Sequence, residues 1–270
     1  MNGDIAVVIA AGPGSRLLPF TAEIPKSMLK VQGKPILSRA LETFRNVGIP
    51  KSVVVGGYRA DGLAIPADSR LVLNDRYESN NILHSLAYAR SEMDRAERII
   101  VSYSDIIFRQ SVVEQLMGAD DADIVIVVDQ AWKERYDGRT QHPLSQAEAA
   151  EFDDRQRLRK TGKDLLTSAC ESRRWGEFIG MLKLTRRGNK LFWDTFDEID
   201  ARLSPEDPFR QTATWRTAYL TDLIQELVDR GVDVRCTLIQ GGYVEIDTPQ
   251  DYEFAGSFRF SSDARQMASC

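Results

Sequence analysis

Residues 10–29 concentrate the groups that could handle an anion. An apolar run, Ile5–Ala11, leads into Gly12 and Gly14, one residue apart, so a buried strand stops in a loop with exposed backbone N–H groups. Such a loop, built from Ala10, Ala11, Gly12, Gly14 and Ser15, can hold phosphate. A Walker loop would need Gly, four residues, then Gly-Lys-Ser/Thr, and no lysine follows Gly14 at that spacing. A dinucleotide fingerprint wants a third small residue three positions after Gly14, where Leu17 stands. What remains is a loop of backbone donors with Arg16 beside it and Lys26 ten residues on, behind a proline. Two fixed cations around one anion-binding loop suit a triphosphate. The plainer alternative is a tight turn after a buried strand, flanked by solvated cations.

Asp105 and Asp247 each close an expected strand, just before a turn or helix. In open α/β sheets ligands bind beyond the carboxyl ends of strands, which puts Asp105 in the same crevice as the glycine loop. Both aspartates also suit capping, Asp247 as the N-cap of a helix beginning Thr248-Pro249 with Gln250 at its third position. Asn80 and Asn81 start a helix. Their amides offer donor and acceptor to a pyrimidine edge, and serve equally well as caps. Trp175 beside Glu177 suits a ligand bearing an ammonium group, through ion pairing and cation–π contact, while Trp175, Trp215 and Tyr243 also suit the core. His84 fits a packed or surface histidine better than a catalytic one.

The elements that must position these residues follow from periodicity. Ile5–Ala11 has the length and continuous apolarity of a strand buried on both faces. Gly33-Lys34-Pro35 starts a helix that Gly48 ends, and Ser52–Gly57 is the next strand, so the chain begins with a parallel crossover. Further strands are expected at 70–74, 98–103 and 123–128, with helices at 80–94 and near 111–117. Between 129 and 176 the periodicity gives no assignment. A strand at 177–184, helices at 186–203 and 214–229, strands at 232–239 and 243–246 and a terminal helix complete the reading.

With 270 residues the chain can bury a full α/β core. A net charge of −5 argues against broad binding to nucleic acid or to an anionic membrane, so phosphate affinity must be local. Cys170, Cys236 and Cys270 are isolated and the only histidines are His84 and His142, so neither a zinc site nor a disulfide framework is encoded, and a reducing cytoplasm fits. No basic leader or long apolar span is present in the sequence.

The string Ala-Ala-Gly-x-Gly-Ser-Arg-Leu-x-Pro, followed by Pro-Lys-Ser-Met-Leu and Gly-Lys-Pro-Ile-Leu, resembles the signature of the nucleotidyltransferases that attach a nucleoside monophosphate to a phosphorylated small molecule. Asn-Asp-Arg-Tyr-x-x-Asn-Asn (74–81), Pro-Lys-Ser where sugar enzymes usually carry Pro-Lys-Pro, and Glu-Phe-Ile-Gly-Met-Leu-Lys (177–183) make it more similar to cytidylyltransferases acting on phosphocholine and small phosphonates such as 2-aminoethylphosphonate. The resemblance implies a Rossmann-like mixed, mostly parallel sheet flanked by helices, with a small acceptor-binding subdomain. It implies one domain over about 1–260, with the nucleotide in about 1–128, the acceptor in about 129–246, a terminal helix at 248–257 and a flexible tail at 261–270. It further implies CTP and Mg2+ as substrate and cofactor, with Asp105 and Asp247 as metal ligands. Arg16 and Lys26 would contact phosphates, and Lys163 in Thr161-Gly162-Lys163 would face the acceptor phosphate. Gly57, Tyr58, Asn80, Asn81 and Ser85 would meet base and ribose, and Trp175, Glu177 and Tyr243 the acceptor. A homo-oligomer is compatible with this reading. The rivals are a sugar-1-phosphate nucleotidyltransferase using UTP or dTTP and a catalytically silent nucleotide-binding regulator.

Overall fold

Strand β1 (Ile5–Ala10) is buried at every position because side chains alternate between two covered faces. Ile5, Val7 and Ile9 enter one apolar cluster with Leu83, Val101 and Trp193, while Ala6, Val8 and Ala10 enter another with Leu37, Phe44 and Val112. Burying each large aliphatic side chain contributes about 1.5–3 kcal/mol, so a strand between two helical layers gains from carrying no polar residue. The computed structural model describes residues 3–119, 122–165 and 174–260. Cys170, Cys270 and the tail expected over 261–270 lie outside the described residues.

After β1 come a two-residue hairpin, β2 (Lys30–Val31) and β3 (Lys34–Pro35), then helix α1 (Ile36–Asn46), β4 (Lys51–Gly56) and β5 (Ser69–Leu73). Helices α2 (Ile82–Ala87) and α3 (Arg90–Met93) precede β6 (Arg98–Tyr103), β7 (Ile106–Phe108), α4 (Gln110–Met117), β8 (Ile124–Asp129) and α5 (Trp132–Tyr136). The remainder is β9 (Ala149–Phe152), β10 (Leu158–Gly162), β11 (Arg174–Thr185), α6 (Arg186–Arg202), α7 (Leu220–Asp229), β12 (Val234–Ile239), β13 (Tyr243–Glu245) and α8 (Pro249–Ala255).

The main sheet is mixed and mostly parallel. β1 lies between β4 and β6, parallel to both, with β5 outside β4. β11 runs antiparallel to β6, β8 and β9, and β12 extends the sheet parallel to β8. Because β11 is reversed, its first half stands at the edge where β1 and β6 end, and Glu177 to Gly180 line a pocket at that edge before the strand runs back beside β6. β9 and β10 form an antiparallel annex at that edge, and β13 pairs with β7 in a separate ribbon that carries the chain to Asp247.

Several local expectations shift. The helix expected over 80–94 divides into α2 and α3, and Asn81 stands before it as N-cap. The helix expected from 214 starts at Leu220, since Trp215 is fully buried in a preceding 3-10 turn. β9 and β10 escaped the sequence because they are short and β10 has two exposed positions in the middle.

Candidate active site

The loop after β1 takes its shape from Gly14, which has φ of 61° and leaves no room for a side chain: a Cβ there would lie 2.8 Å from the Cβ of Lys26. Thr21 Oγ1 donates to the Gly14 carbonyl at 2.9 Å, and the Tyr58 hydroxyl donates to the carbonyls of Thr21 and Ala22. Ala10, Ala11, Gly12, Gly14 and Ser15 line one cleft with Arg16, Lys26, Asn80, Asn81 and Ser85. Gly57 and Tyr58 do not line it. They stand behind: a Cβ on Gly57 would meet the Ala11 carbonyl and Tyr77 at 2.7 Å, and it is Tyr77, packed edge-on against Tyr58, that faces the cleft. This corrects the expected contact of Gly57 and Tyr58 with base or ribose.

The asparagine amides are already engaged. Asn74 and Asn80 exchange hydrogen bonds at 2.9 and 3.2 Å, and Asn74 also donates to Ser85 at 2.9 Å. Asn81 accepts from the Ile82 N–H at 2.8 Å and donates to the Thr217 carbonyl at 3.1 Å. Both residues therefore shape the cleft wall while their amides hold protein rather than pointing free at a ligand.

At the floor, Lys26 Nζ joins Asp105, at 2.9 Å, to Asp247. Arg16 takes the other oxygen of Asp247 at 2.6 Å. Burial alone would lower the pKa of Lys26, but the charges of Asp105 and Asp247 outweigh it and keep the ammonium firmly protonated. Burial likewise pushes Asp247 upward, and Lys26 and Arg16 overcome it to hold the carboxylate ionised. Asp247 is not the cap of α8. Thr248 is, with Asp251 completing the reciprocal pair, so the capping reading moves one residue on and leaves the Asp247 carboxylate to the cleft.

Beside this centre stand residues that sequence reasoning passed over. His142 Nδ1 lies 3.5 Å from Asp247 and 3.9 Å from Glu245, and the candidate ligand atoms of all three fall within 4.8 Å of one another. Arg139 donates to His142 Nδ1 at 3.1 Å, to Glu245 at 3.0 Å and to Asp251 at 2.7 Å. Burial and then the Arg139 charge hold His142 down to about 4, so the ring is neutral and its Nδ1 accepts. The period of two through Tyr243, Glu245 and Asp247 is the signal that would have placed Glu245 on the same face. No comparable signal marks His142, which sits in the unpatterned loop after α5.

The residues present fit a divalent cation. Two carboxylates converge on one point, now bridged by Lys26, and Asp105 Oδ1 is buried without a hydrogen-bond partner among the described residues. Hard cations that bind phosphate take one or two protein carboxylates and complete their shell from substrate and water.

A second pocket opens from the same floor, and Arg16, Asn81, Asp105 and Asp247 line both. Lys163 enters it with its ammonium 4.1 Å over the ring of Tyr219. Tyr243 and Glu177 line it too, but the Glu177 carboxylate is already taken: Arg135 pairs with it, and the hydroxyls of Tyr136 and Tyr243 donate at 2.7 and 2.8 Å. The free partner for an ammonium group expected at Glu177 is therefore absent. Trp175 is also corrected. Two residues earlier on β11 it stands about 7 Å further along the strand, outside the pocket, against the cluster of Trp132, Ala147 and Ala149. Trp215 is core, and His84 packs edge-on against it at 4.8 Å.

A mostly parallel α/β sheet whose carboxyl edge joins an anion loop, paired carboxylates and a second polar pocket is the architecture of a nucleotidyltransferase. The model of the MobA-like NTP transferase domain matches residues 6–178, and the chain belongs to that family. Enzymes of this family typically use a divalent metal. The chain is 27% identical over 260 residues to the CTP:phosphoglutamine cytidylyltransferase of Campylobacter jejuni, covering 92% of this chain and 97% of that protein. It is 25% identical to the CMP-5'-(3-aminopropyl)phosphonate synthase of Streptomyces rubellomurinus, over 97% of this chain and 40% of the relative. Among solved structures, the CTP:phosphocholine cytidylyltransferase of Streptococcus pneumoniae superposes with a TM-score of 0.67 at 18% identity, over 94% of this chain and 97% of that one, a likeness of fold. No helix among the described residues is long and apolar enough to cross a membrane.

Proposed function

We propose that the protein is a cytoplasmic, Mg2+-dependent cytidylyltransferase that joins CMP from CTP to a small phosphate or phosphonate monoester and releases pyrophosphate. In this reading residues 1–260 work as one unit, with nucleotide held by about 1–128 and acceptor by about 129–246. The observation that carries it is the shared floor: Arg16, Asp105 and Asp247 belong at once to the loop cleft and to the second pocket. An acceptor oxygen entering from one side would meet the α-phosphorus of a triphosphate held on the other. A relative that bears the name of a cytidylyltransferase over 92% of this chain supports cytidine as the nucleoside.

The chemistry asks the chain mainly to align and to neutralise. The loop N–H groups and Arg16 would hold the triphosphate tail, and Lys26 would meet charge building on the transferring and leaving phosphoryl groups. Lys163 would face the acceptor phosphate. A magnesium ion held by Asp105 and Asp247 would, when bound, add charge neutralisation at the phosphoryl oxygens. Pyrophosphate release over four ribonucleoside triphosphates against phosphocholine, 2-aminoethylphosphonate, other small phosphonates and sugar-1-phosphates tests the proposal. Release is expected with CTP and a small acceptor, and to stop on chelation. Activity only with UTP or dTTP and a sugar-1-phosphate overturns it in favour of a sugar enzyme. Nucleotide binding without pyrophosphate anywhere on the grid makes the protein a silent regulator.

A further inference from the structure

Besides Asp105 and Asp247 the second pocket is lined by three carboxylates, of which Glu177 and Glu245 are paired with Arg135 and Arg139 and Glu148 is in no ion pair among the described residues. Glu148, just ahead of β9, lines the pocket opposite in charge to Lys163. Its oxygens accept from two neutral groups, the Tyr103 hydroxyl at 2.9 Å and the Thr221 hydroxyl at 3.2 Å. Among the described residues no arginine, lysine or histidine stands within ion-pair distance of it. Glu177 is the reverse case, buried at 4% exposure and saturated by Arg135, Tyr136 and Tyr243. A carboxylate drawn partly out of water with no ion-paired cation is costly to hold ionised, and burial raises the pKa of Glu148 even against the opposing charge of Lys163. A ligand cation would remove that cost.

The Lys163 charge acts on Glu148 across the pocket and opposes the effect of burial, yet its ammonium makes no ion pair with that carboxylate. Gln211 clamps its backbone, accepting from the Lys163 N–H at 2.8 Å and donating to its carbonyl at 2.9 Å. The clamp requires Gly162, at φ of 145°, where a Cβ would fall 2.4 Å from Gln211 Oε1. Thus held, the Lys163 ammonium rests on Tyr219 and 3.5 Å from Gln146 Oε1. The pocket thus has a positive pole and a negative one that act on each other without closing an ion pair.

We propose that Glu148, not Glu177, is the specificity residue of the acceptor pocket, binding an amino or ammonium group on the acceptor while Lys163 faces an anionic group of the same molecule. This rests on the cytidylyltransferase reading and sharpens it: the acceptor class is a small phosphate or phosphonate that also carries a cation.

The test compares 2-aminoethylphosphonate with ethylphosphonate, which lacks only the amine, in the wild type, Glu148→Gln, Glu148→Asp and Glu177→Gln. Glutamine keeps the shape and one acceptor oxygen, while its NH2 meets the other hydroxyl, which must turn to accept from it; Glu148→Asp, which keeps the charge, controls for that change. The wild type is expected to prefer the amine in kcat/KM by at least about tenfold, the size of a charged hydrogen bond. Glu148→Gln should abolish that preference, mainly through KM for the aminated acceptor, and Glu148→Asp should restore part of it. Glu177→Gln should retain it. A wild type without preference, a Glu148→Gln enzyme that keeps it, or a Glu177→Gln enzyme that loses it overturns the assignment. Calorimetric binding of the two phosphonates decides the point if no acceptor turns over. Amine-selective binding that Glu148→Gln removes then upholds Glu148 while transfer itself is refuted, and unselective or absent binding refutes both.

Discussion

The two pockets that share Asp105 and Asp247 are built in opposite ways. The loop cleft takes Ala10 to Arg16, Lys26 and Ser27 from two short contiguous stretches, where the phosphate contacts are proposed. The second pocket, where the acceptor is proposed to bind, takes Glu148 from ahead of β9, Lys163 from just after β10, Glu177 from β11, Tyr219 from just before α7 and Tyr243 from β13. A backbone site tolerates little change, because its donors are fixed by chain geometry and by residues such as Gly14. A side-chain site can be re-specified one residue at a time without disturbing the sheet. The difference explains how one fold could keep one nucleotide chemistry and vary the molecule it modifies.

If the shared floor is where both substrates react, damage there should exceed damage in either pocket. Asp105→Asn and Asp247→Asn should each lower kcat by two or more orders of magnitude, roughly 2.7 kcal/mol or more of lost transition-state stabilisation. Chelation of divalent cations should do the same to the wild type. Steady-state pyrophosphate release with and without Mg2+ checks both, and near-full magnesium-dependent activity in either variant would make that residue structural.

Lys26 separates the two roles of the floor. Lys26→Ala should slow chemistry by about 10–100-fold with a smaller change in KM for CTP, since the charge it meets grows in the transition state. In the ligand-free protein the same lysine is the internal counter-ion of Asp105 and Asp247. Its removal leaves those carboxylates facing Glu245 without a buried cation between them, so the variant should be less stable and should gain more from added Mg2+. Thermal denaturation measured across a Mg2+ series reads this. An unchanged kcat with a raised KM would reduce Lys26 to a simple binding group.

The same contrast set what the sequence could disclose. A cleft made from adjacent residues leaves a string, and Gly12, Gly14, Arg16 and Lys26 could be located from spacing alone. β1, β4, β6 and β8 were legible because burial on both faces demands an unbroken apolar run. The acceptor pocket leaves no string, since nothing in residues 129–176 says that Glu148 and Lys163 meet, or that the reversed β11 brings Glu177 to their side. Trp175 and Glu177 looked like a pair because they are two residues apart. The strand rise that puts them on one face also carries Trp175 past the pocket, and Arg135, an unremarked residue in α5, fills the place expected for a ligand. The floor was similarly half visible: Asp247 stands out in the sequence, while Glu245, two residues before it at the end of β13, does not.

In the acceptor pocket, a saturated residue should behave as structure. Glu177→Gln removes the ion pair with Arg135 and keeps an acceptor oxygen for only one of Tyr136 and Tyr243. A loss of about 2 kcal/mol in unfolding free energy is expected, near the lower end of the range for an uncompensated buried charge. Denaturant unfolding measures it. Unchanged stability would mean that Arg135 finds Asp129, 3.3 Å away, an adequate partner by itself.

The smallest expected effect tests the cleft wall. Asn81 caps α2 through its side-chain oxygen and ties the helix start to the Thr217 carbonyl through its nitrogen. Both ends of the amide are therefore engaged before any nucleotide arrives. Asn81→Ala should cost about 1 kcal/mol of stability, the usual value of such a cap, and should leave the ratio of CTP to UTP turnover within about threefold of the wild type. A residue whose amide read the base would behave differently, because a buried base edge left unpaired costs about 1–3 kcal/mol and the nucleotide preference would collapse. Measuring kcat/KM for CTP and UTP beside the unfolding midpoint distinguishes the two. If preference falls while stability holds, Asn81 leaves its cap on binding and the wall is a reader of bases; if stability falls while preference holds, selection among nucleotides belongs to the backbone of the loop and to Tyr77.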